Sequence, residues 1–398
     1  MKPALSSNFA GPKEFIILMA FMMSVVAISI DAMLPALGII GQELNVSHPN
    51  QAQYILGFIF AGMAVGQLIN GPLSDAFGRK KILYGSLTLY LVGSLVCLLS
   101  TDITMMLVGR FIQGLGASGP YISIMSIIRD RYSGRQMAKI MSLVMTIFIM
   151  VPAIAPALGQ GILYLASWHY IFVFYIAYAM FVGIWVFFRL EETLTPENRV
   201  PYSVKNIIGG LKTVLSNKIT LKYTLAMGFI FGALIGDLNT IQQIFQVQYE
   251  VGNMFALYFG LQALAFGVAS FTNSQLVEKL GMRLLCLCMS GIMFVSSILL
   301  LVAGAIVPIS FWMFFTYGTV LLFCFGVMFG NLNALAMEPM GKIAGIASAI
   351  IGATSSVVGI ILGTTIGQLY DGTVMPVVSG FAVLSATAFL IMSIKETR

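Results

Sequence analysis

The chain has 398 residues, 59% of them hydrophobic and only 9% charged, with a mean hydropathy of +0.94. Soluble domains carry about 25% charged residues, so a water-soluble globule of this length has too little polar surface to cover its core. The net charge of +6 does not mark a nucleic-acid binder, because the basic residues form no single patch.

Apolar runs of about 20 residues alternate with short polar breaks, the length that crosses a hydrocarbon core as a helix. The runs are continuously apolar and lack the period-2 alternation of a membrane β-barrel. An all-α polytopic membrane protein is expected, since each helix closes its own backbone hydrogen bonds in lipid. Twelve spans are predicted near 15–38, 51–72, 80–100, 103–128, 137–164, 168–189, 220–246, 254–277, 283–304, 309–335, 342–369 and 374–394. The first run, Phe15 to about Leu37, is too long for a cleaved leader and reads as a retained span.

In that first span, Asp31 lies more than a helical turn from the far end, where a carboxylate is costly to ionise. This makes it a candidate proton acceptor or a contact for a cationic substrate; the plainer reading is a cap on the break before Pro35. Between spans two and three, Gly71-Pro-Leu-Ser-Asp75-Ala-Phe-Gly78-Arg79-Lys80-Lys81 reads as an ion-paired turn, with two glycines supplying backbone freedom. Span four carries Arg110, which stays protonated and must be paired or hydrated inside a membrane. Gln113, one turn along, is its expected hydrogen-bonding companion and a candidate lining residue of a substrate pocket. Proximity of Arg110 to Asp31 is a further expectation, since a positive charge opposes the effect of burial on the carboxyl. Span five contains Pro152, Pro156 and Gly159.

The polar stretch from Arg189 to Lys222 is the longest break and divides the chain into two sets of six spans, residues 1–189 and 220–398, joined by a linker at 190–219. An internal repeat supports the division: Ser274-Gln-Leu-Val-Glu278-Lys-Leu-Gly281-Met-Arg283 keeps the order of small residue, Leu, acid, Gly and base seen at 71–80. Span seven, the counterpart of span one, holds Asp237 together with Asn239, Gln242, Gln243 and Gln246. That polarity is costly against lipid and is expected to face a cavity. Tyr54, Phe58, Tyr121, Met145 and Phe245 are added as the apolar lining of a substrate pocket.

If the first span starts in the cytoplasm, Lys and Arg from Lys2 to Arg398 fall on the cytoplasmic side, with Arg110 alone inside a span. The outer breaks hold none. This positive-inside asymmetry predicts cytoplasmic termini. No phosphate-binding loop, zinc-protease helix or nucleophile elbow is present, so a bond-cleaving enzyme is not expected. His48 and His169 lack metal-ligand spacing, and Cys97, Cys286, Cys288 and Cys324 fit no disulfide or zinc pattern. No cofactor or metal is expected.

The 71–81 string resembles the loop signature of the major facilitator superfamily, at the position that family places it. Leu107 to Ala117 is similar to its fourth-helix motif, and Pro152 to Gly161 to the fifth-helix motif of its drug:proton antiporter branch. Ser29 to Leu37 and Ser167 to Phe172 resemble the bicyclomycin-resistance (Bcr/CflA-type) exporters. The chain departs from the fifth-helix pattern at Ala155 and Gln160. The resemblance implies a monomer of two pseudo-symmetric six-helix bundles in the bacterial inner membrane, exporting small amphipathic drugs or toxic compounds against protons by alternating access. It implies coupling at Asp31 and Arg110 and a cytoplasmic gate at Gly71, Asp75, Gly78, Arg79 and Lys80; Asp237 stands as a substrate contact or second proton site. A dedicated exporter of one metabolite, such as a siderophore or amino acid, remains the alternative.

Overall fold

The computed structural model describes residues 11–132 and 134–395, with side chains throughout except at a few helical positions, Arg135 and Lys342 among them. Lys2 and Arg398 lie outside the described residues. Twelve helical segments are long and apolar enough to cross a membrane, and among the described residues there is no strand.

The helices are α1 (Pro12–Asp31), α2 (Leu37–Glu43), α3 (Tyr54–Phe77), α4 (Arg79–Leu98), α5 (Ile103–Arg131), α6 (Gly134–Leu165), α7 (His169–Arg189), α8 (Val204–Ser216), α9 (Lys218–Gln242), α10 (Phe255–Leu280), α11 (Met282–Ile306), α12 (Phe311–Met337), α13 (Ala344–Gln368) and α14 (Met375–Ser393). The first expected span is in fact α1 and α2 joined by a 3-10 turn at Leu34–Ala36. The seventh continues past α9 as a π-helix over Gln243–Gln248.

Helices α1 to α7 pack into one bundle and α9 to α14 into another, and α8 lies against α9 and α13. Residues 22–37 are all buried, so the first span is enclosed by protein. Large apolar side chains are exposed on α4, α7, α11 and α14, as at Leu89, Phe187, Phe188, Leu299 and Leu390. Surface of that kind is stable only against lipid. The bundles meet along two seams, α3 against α13 and α6 against α10.

Between membrane helices the apolar driving force is weak, so small residues that let backbones approach do much of the holding. A Cβ placed on Gly114 of α5 would overlap the Ile59 carbonyl of α3, and one on Gly62 would overlap the Phe111 carbonyl. By contrast, a Cβ on Gly85 of α4 would meet nothing within 4 Å. Gly114→Val is therefore expected to lower stability by about 1–3 kcal/mol through overpacking, and Gly85→Ala to leave it unchanged or slightly raised. Thermal unfolding of the purified variants in detergent checks the contrast.

Candidate functional site

Proline has no N–H, so Pro35 cannot donate to the Asp31 carbonyl four residues earlier, and its ring crowds the same group. Helix α1 ends at Asp31 for that reason, and the chain turns through the 3-10 segment before α2 carries it on to Glu43. Asp31 thus sits at a break within the span. It is 5% exposed, and its carboxylate has no hydrogen-bond or ion-pair partner among the described residues. Helix α6 presses on this break. A Cβ on Gly159 would overlap the Ala32 carbonyl, so no larger residue fits there. Pro152 and Pro156 lie one turn apart within α6, which leaves the Pro152 carbonyl without its usual helical donor. The fifth-helix motif and the buried acid are therefore one structural unit.

Arg110 on α5 is fully buried. Its guanidinium donates to the Ser29 carbonyl at 2.9 Å, the Ile55 carbonyl at 3.2 Å and Gln113 Oε1 at 2.6 Å. Gln113 in turn donates to Ser94 Oγ at 2.8 Å. The Tyr90 hydroxyl meets Ser29 Oγ at 2.6 Å, and the Tyr175 hydroxyl donates to the Ser29 carbonyl at 3.4 Å. The knot ties α1, α3, α4, α5 and α7 together two residues before Asp31. The expected approach of Arg110 to Asp31 does not take the form of an ion pair: the charge is used on carbonyls and an amide. Gln113, expected to line a pocket, has both ends of its amide engaged and is fully buried.

In the second bundle, Asp237 occupies the position in α9, counted from its start, that Asp31 holds at the end of the 20-residue α1. It is 3% exposed, and its carboxylate also lacks a hydrogen-bond or ion-pair partner among the described residues. The amides beyond it face the first bundle. Gln53 donates to Gln243 Oε1 at 2.5 Å, and Gln243 donates to Asn50 Oδ1 at 3.1 Å. Asn50 donates to the carbonyls of Gln368 and Tyr370 at 3.2 and 2.8 Å, and Gln368 returns a bond to the Asn50 carbonyl at 2.9 Å. This clamp joins the bundles at the end whose connecting loops carry no Lys or Arg. Beside it, burial pushes the Tyr370 hydroxyl up to about 12, so it stays protonated.

At the basic end, Gly78 takes φ +109, a conformation open to glycine, and links α3 to α4. Arg79, 4% exposed, pairs with Asp75 one turn back and donates to Asp130 at 3.0 Å. Glu192 from the linker accepts from the backbone N–H groups of Arg79 and Lys80 at 2.9 and 3.1 Å, capping the start of α4. Lys80 Nζ donates to the Phe187 carbonyl at 3.1 Å. Gly71, expected to free the turn, instead lies within α3, which runs on to Phe77; it faces α13, where a Cβ would lie 3.7 Å from Ala349.

The remaining expected lining residues disperse. Phe245 is fully buried in an aromatic cluster with Phe255, Phe311 and Phe314, ring centroids 5.3–6.3 Å apart, and does not face the clamp. Phe58 is 39% exposed, and Tyr54, Tyr121 and Met145 are half-buried at separate places. Asn239 and Gln242 do come together with Gln53 and Gln243 around one cavity. Sequence reasoning missed Asn50, Gln53, Asp130 and Glu192, which look like ordinary loop or helix-end polarity.

The family model described as Major Facilitator Superfamily matches residues 17–364. The chain belongs to the Major Facilitator Superfamily. It is 31% identical to an uncharacterized transporter of this superfamily, YdgK of Bacillus subtilis, over 90% of each chain. It is 29% identical to the bicyclomycin resistance protein homolog of Haemophilus influenzae, covering 96% of this chain and 97% of that one. With the multidrug resistance protein MdtL of Citrobacter koseri it shares 28% identity over 81% and 80% of the two chains. The fold matches the xylose transporter XylE of E. coli in a partially occluded inward open conformation, with a TM-score of 0.72 and 14% identity over 96% and 98%. This major facilitator protein is thus a multi-pass membrane transporter of small molecules and not an enzyme.

Arg110→Lys keeps the charge but loses the planar fork that serves three acceptors on separate helices. The transporter is expected to lose about 2–3 kcal/mol of stability, read as a lowered melting temperature in detergent. An unshifted melt would show that the knot does not hold the bundle.

Proposed function

We propose that this transporter exports small amphipathic drugs or toxic compounds in exchange for protons. The observation that carries the reading is Asp31: an unpartnered, buried carboxyl at a helix break, with the Pro/Gly helix α6 packed on its neighbour Ala32. A carboxyl in that setting holds a proton until water or a cationic group reaches it, and then gives it up. The names of the Haemophilus and Citrobacter relatives support resistance to toxic compounds as the purpose.

In the proposed orientation the basic loops face the cytoplasm of a bacterial cell, following the positive-inside rule. The base-free end then faces outward, and the amide clamp is the outer gate of a monomer whose bodies are residues 1–189 and 220–398, joined by 190–219. With the clamp open, a proton from outside reaches Asp31 and substrate leaves as the carboxyl is neutralised. With the clamp closed, the proton departs inward and the charged carboxyl accepts the next substrate. Arg110 fixes the turn of α1 that carries Asp31, so changes at the acid are transmitted to α3 and α5. Asp237, on the counterpart helix, serves as a substrate contact or a second proton site.

Two measurements test this. In proteoliposomes, Asp31→Asn is expected to abolish uptake of a fluorescent drug driven by a pH gradient, while leaving the protein folded. Full gradient-driven uptake by that variant would overturn the assignment. A Gln53→Cys, Gln243→Cys pair bridged by a short bis-maleimide is expected to stop transport, because the clamp then cannot open. Undiminished transport after complete bridging removes the clamp from the cycle.

A further inference from the structure

The clamp forms one wall of a cavity of about 520 Å³ between the bundles at the base-free end. One side comes from α2 and the segment after it, with Gln42, Asn45 and Gln53; the other comes from α9 and its π-helical extension, with Asn239, Gln242 and Gln243. None of its lining side chains is charged. Neither Asp31 nor Asp237 contributes to it.

Most of these amides have partners. Gln53 and Gln243 bond each other, and Gln242 donates to Gln246 at 2.8 Å. Among the buried ones, Asn239 is the exception. It is 1% exposed, it lines the cavity, and both its Nδ2 and its Oδ1 lack a hydrogen-bond partner. Leaving a buried donor and acceptor unpaired costs about 1–3 kcal/mol for each group, a cost that an occupant hydrogen-bonded to Asn239 would remove. The volume is that of a small-molecule site, and exposed Asn45 and Val247 at its rim put it within reach of the base-free face.

We propose that this cavity is a second solute site, separate from Asp31, which takes an uncharged compound bearing both hydrogen-bond donors and acceptors and, by bridging α2 and α9, holds the base-free end shut. The lining chemistry sets the class. Amides match hydroxyl and amide groups, but the lining supplies no opposite charge to offset the desolvation of an ion. Asn239 donates and accepts from the second bundle, while Gln42 and Asn45 reach the occupant from the first. A ligand held by both walls binds the closed arrangement better than the open one and so shifts the equilibrium toward it. The inference rests on the transport reading only for what closure means; the site itself stands on the cavity and Asn239.

The test uses three matched probes on the purified full chain at neutral pH: N-acetylglucosamine, which is neutral, glucosamine, which is cationic, and N-acetylneuraminic acid, which is anionic. Calorimetric titration is expected to show N-acetylglucosamine binding at least about tenfold tighter than either charged probe, a difference of about 1.4 kcal/mol. Asn239→Leu, which removes the unpaired amide, and Val46→Trp, which fills the cavity from the opposite wall, are each expected to weaken it by about tenfold or more. Should Asn239→Leu fail to fold, Val46→Trp alone decides. Asp31→Asn is expected to keep the preference for the neutral probe over both charged ones, so loss of coupling and loss of this site are read separately. Binding of none of the three, which is the result if Asn239 is satisfied by water, overturns the proposal. So does equal binding of a charged probe, or full binding by the folded variants.

Discussion

A guanidinium removed from water must find acceptors within the protein, and in hydrocarbon there is nowhere else to look. Arg110 meets that demand with two backbone carbonyls and one amide, each on a different part of the first bundle. The choice of carbonyls matters. A carboxylate partner would neutralise the charge and take Asp31 out of play; carbonyl partners hold the helices and leave the acid two residues away unpaired. Tyr90 and Tyr175 converge on the same Ser29, so the last turn of α1 is fixed from three directions. The rigid knot and the free carboxyl are adjacent because one makes the other possible.

The two bundles repeat this plan with different chemistry. Each has a buried acid at the same position of its first helix, followed by a departure from α-geometry: a Pro35 break in one and a π-helix in the other. Irregular backbone at this depth is tolerated where it is enclosed by protein or faces a cavity, and both segments here are. In the first bundle the irregularity abuts α6 with its two prolines. In the second it aims amides at the facing half. Neutral amide bonds contribute about 0.5–1.5 kcal/mol each, so a clamp of five such bonds is strong enough to bias a conformation without locking it.

The span count was legible because hydropathy over 20-residue runs leaves no other economical arrangement in lipid. The glycine turn at Gly78 and the burial of Asp31, Arg110 and Asp237 were equally readable, since each is a local departure from a strong pattern. Partners across the fold were not. Arg110 bonds carbonyls, which every residue has, so no sequence feature names Ser29 or Ile55. Asn50 and Gln53 sit about 190 residues from Gln243 and look like the polar entry of a helix. Phe245 follows the polar face of α9, yet the π-helix turns it into the core among Phe255, Phe311 and Phe314. A change of helical pitch moves a side chain to another face without changing a letter of the sequence.

The seam between the bundles is not uniform, and its asymmetry constrains how they move. At the base-free end it is closed by side-chain hydrogen bonds between Asn50, Gln53, Gln243 and Gln368. Toward the basic end, α3 and α13 meet through small residues, with Gly71 facing Ala349 and Gly345 facing Asp75. The ion pairs there, Arg79 with Asp75 and Asp130, stay within the first bundle, and Glu192 joins that bundle to the linker. Separating the basic ends therefore breaks mainly van der Waals contacts, while separating the base-free ends breaks directional bonds whose amides must find water or new partners. Small-residue contacts slide and reform without a desolvation penalty, whereas amides exposed by opening are solvated at once on a face that meets water. The two ends are thus held by different kinds of contact, and opening either one disrupts a different chemistry.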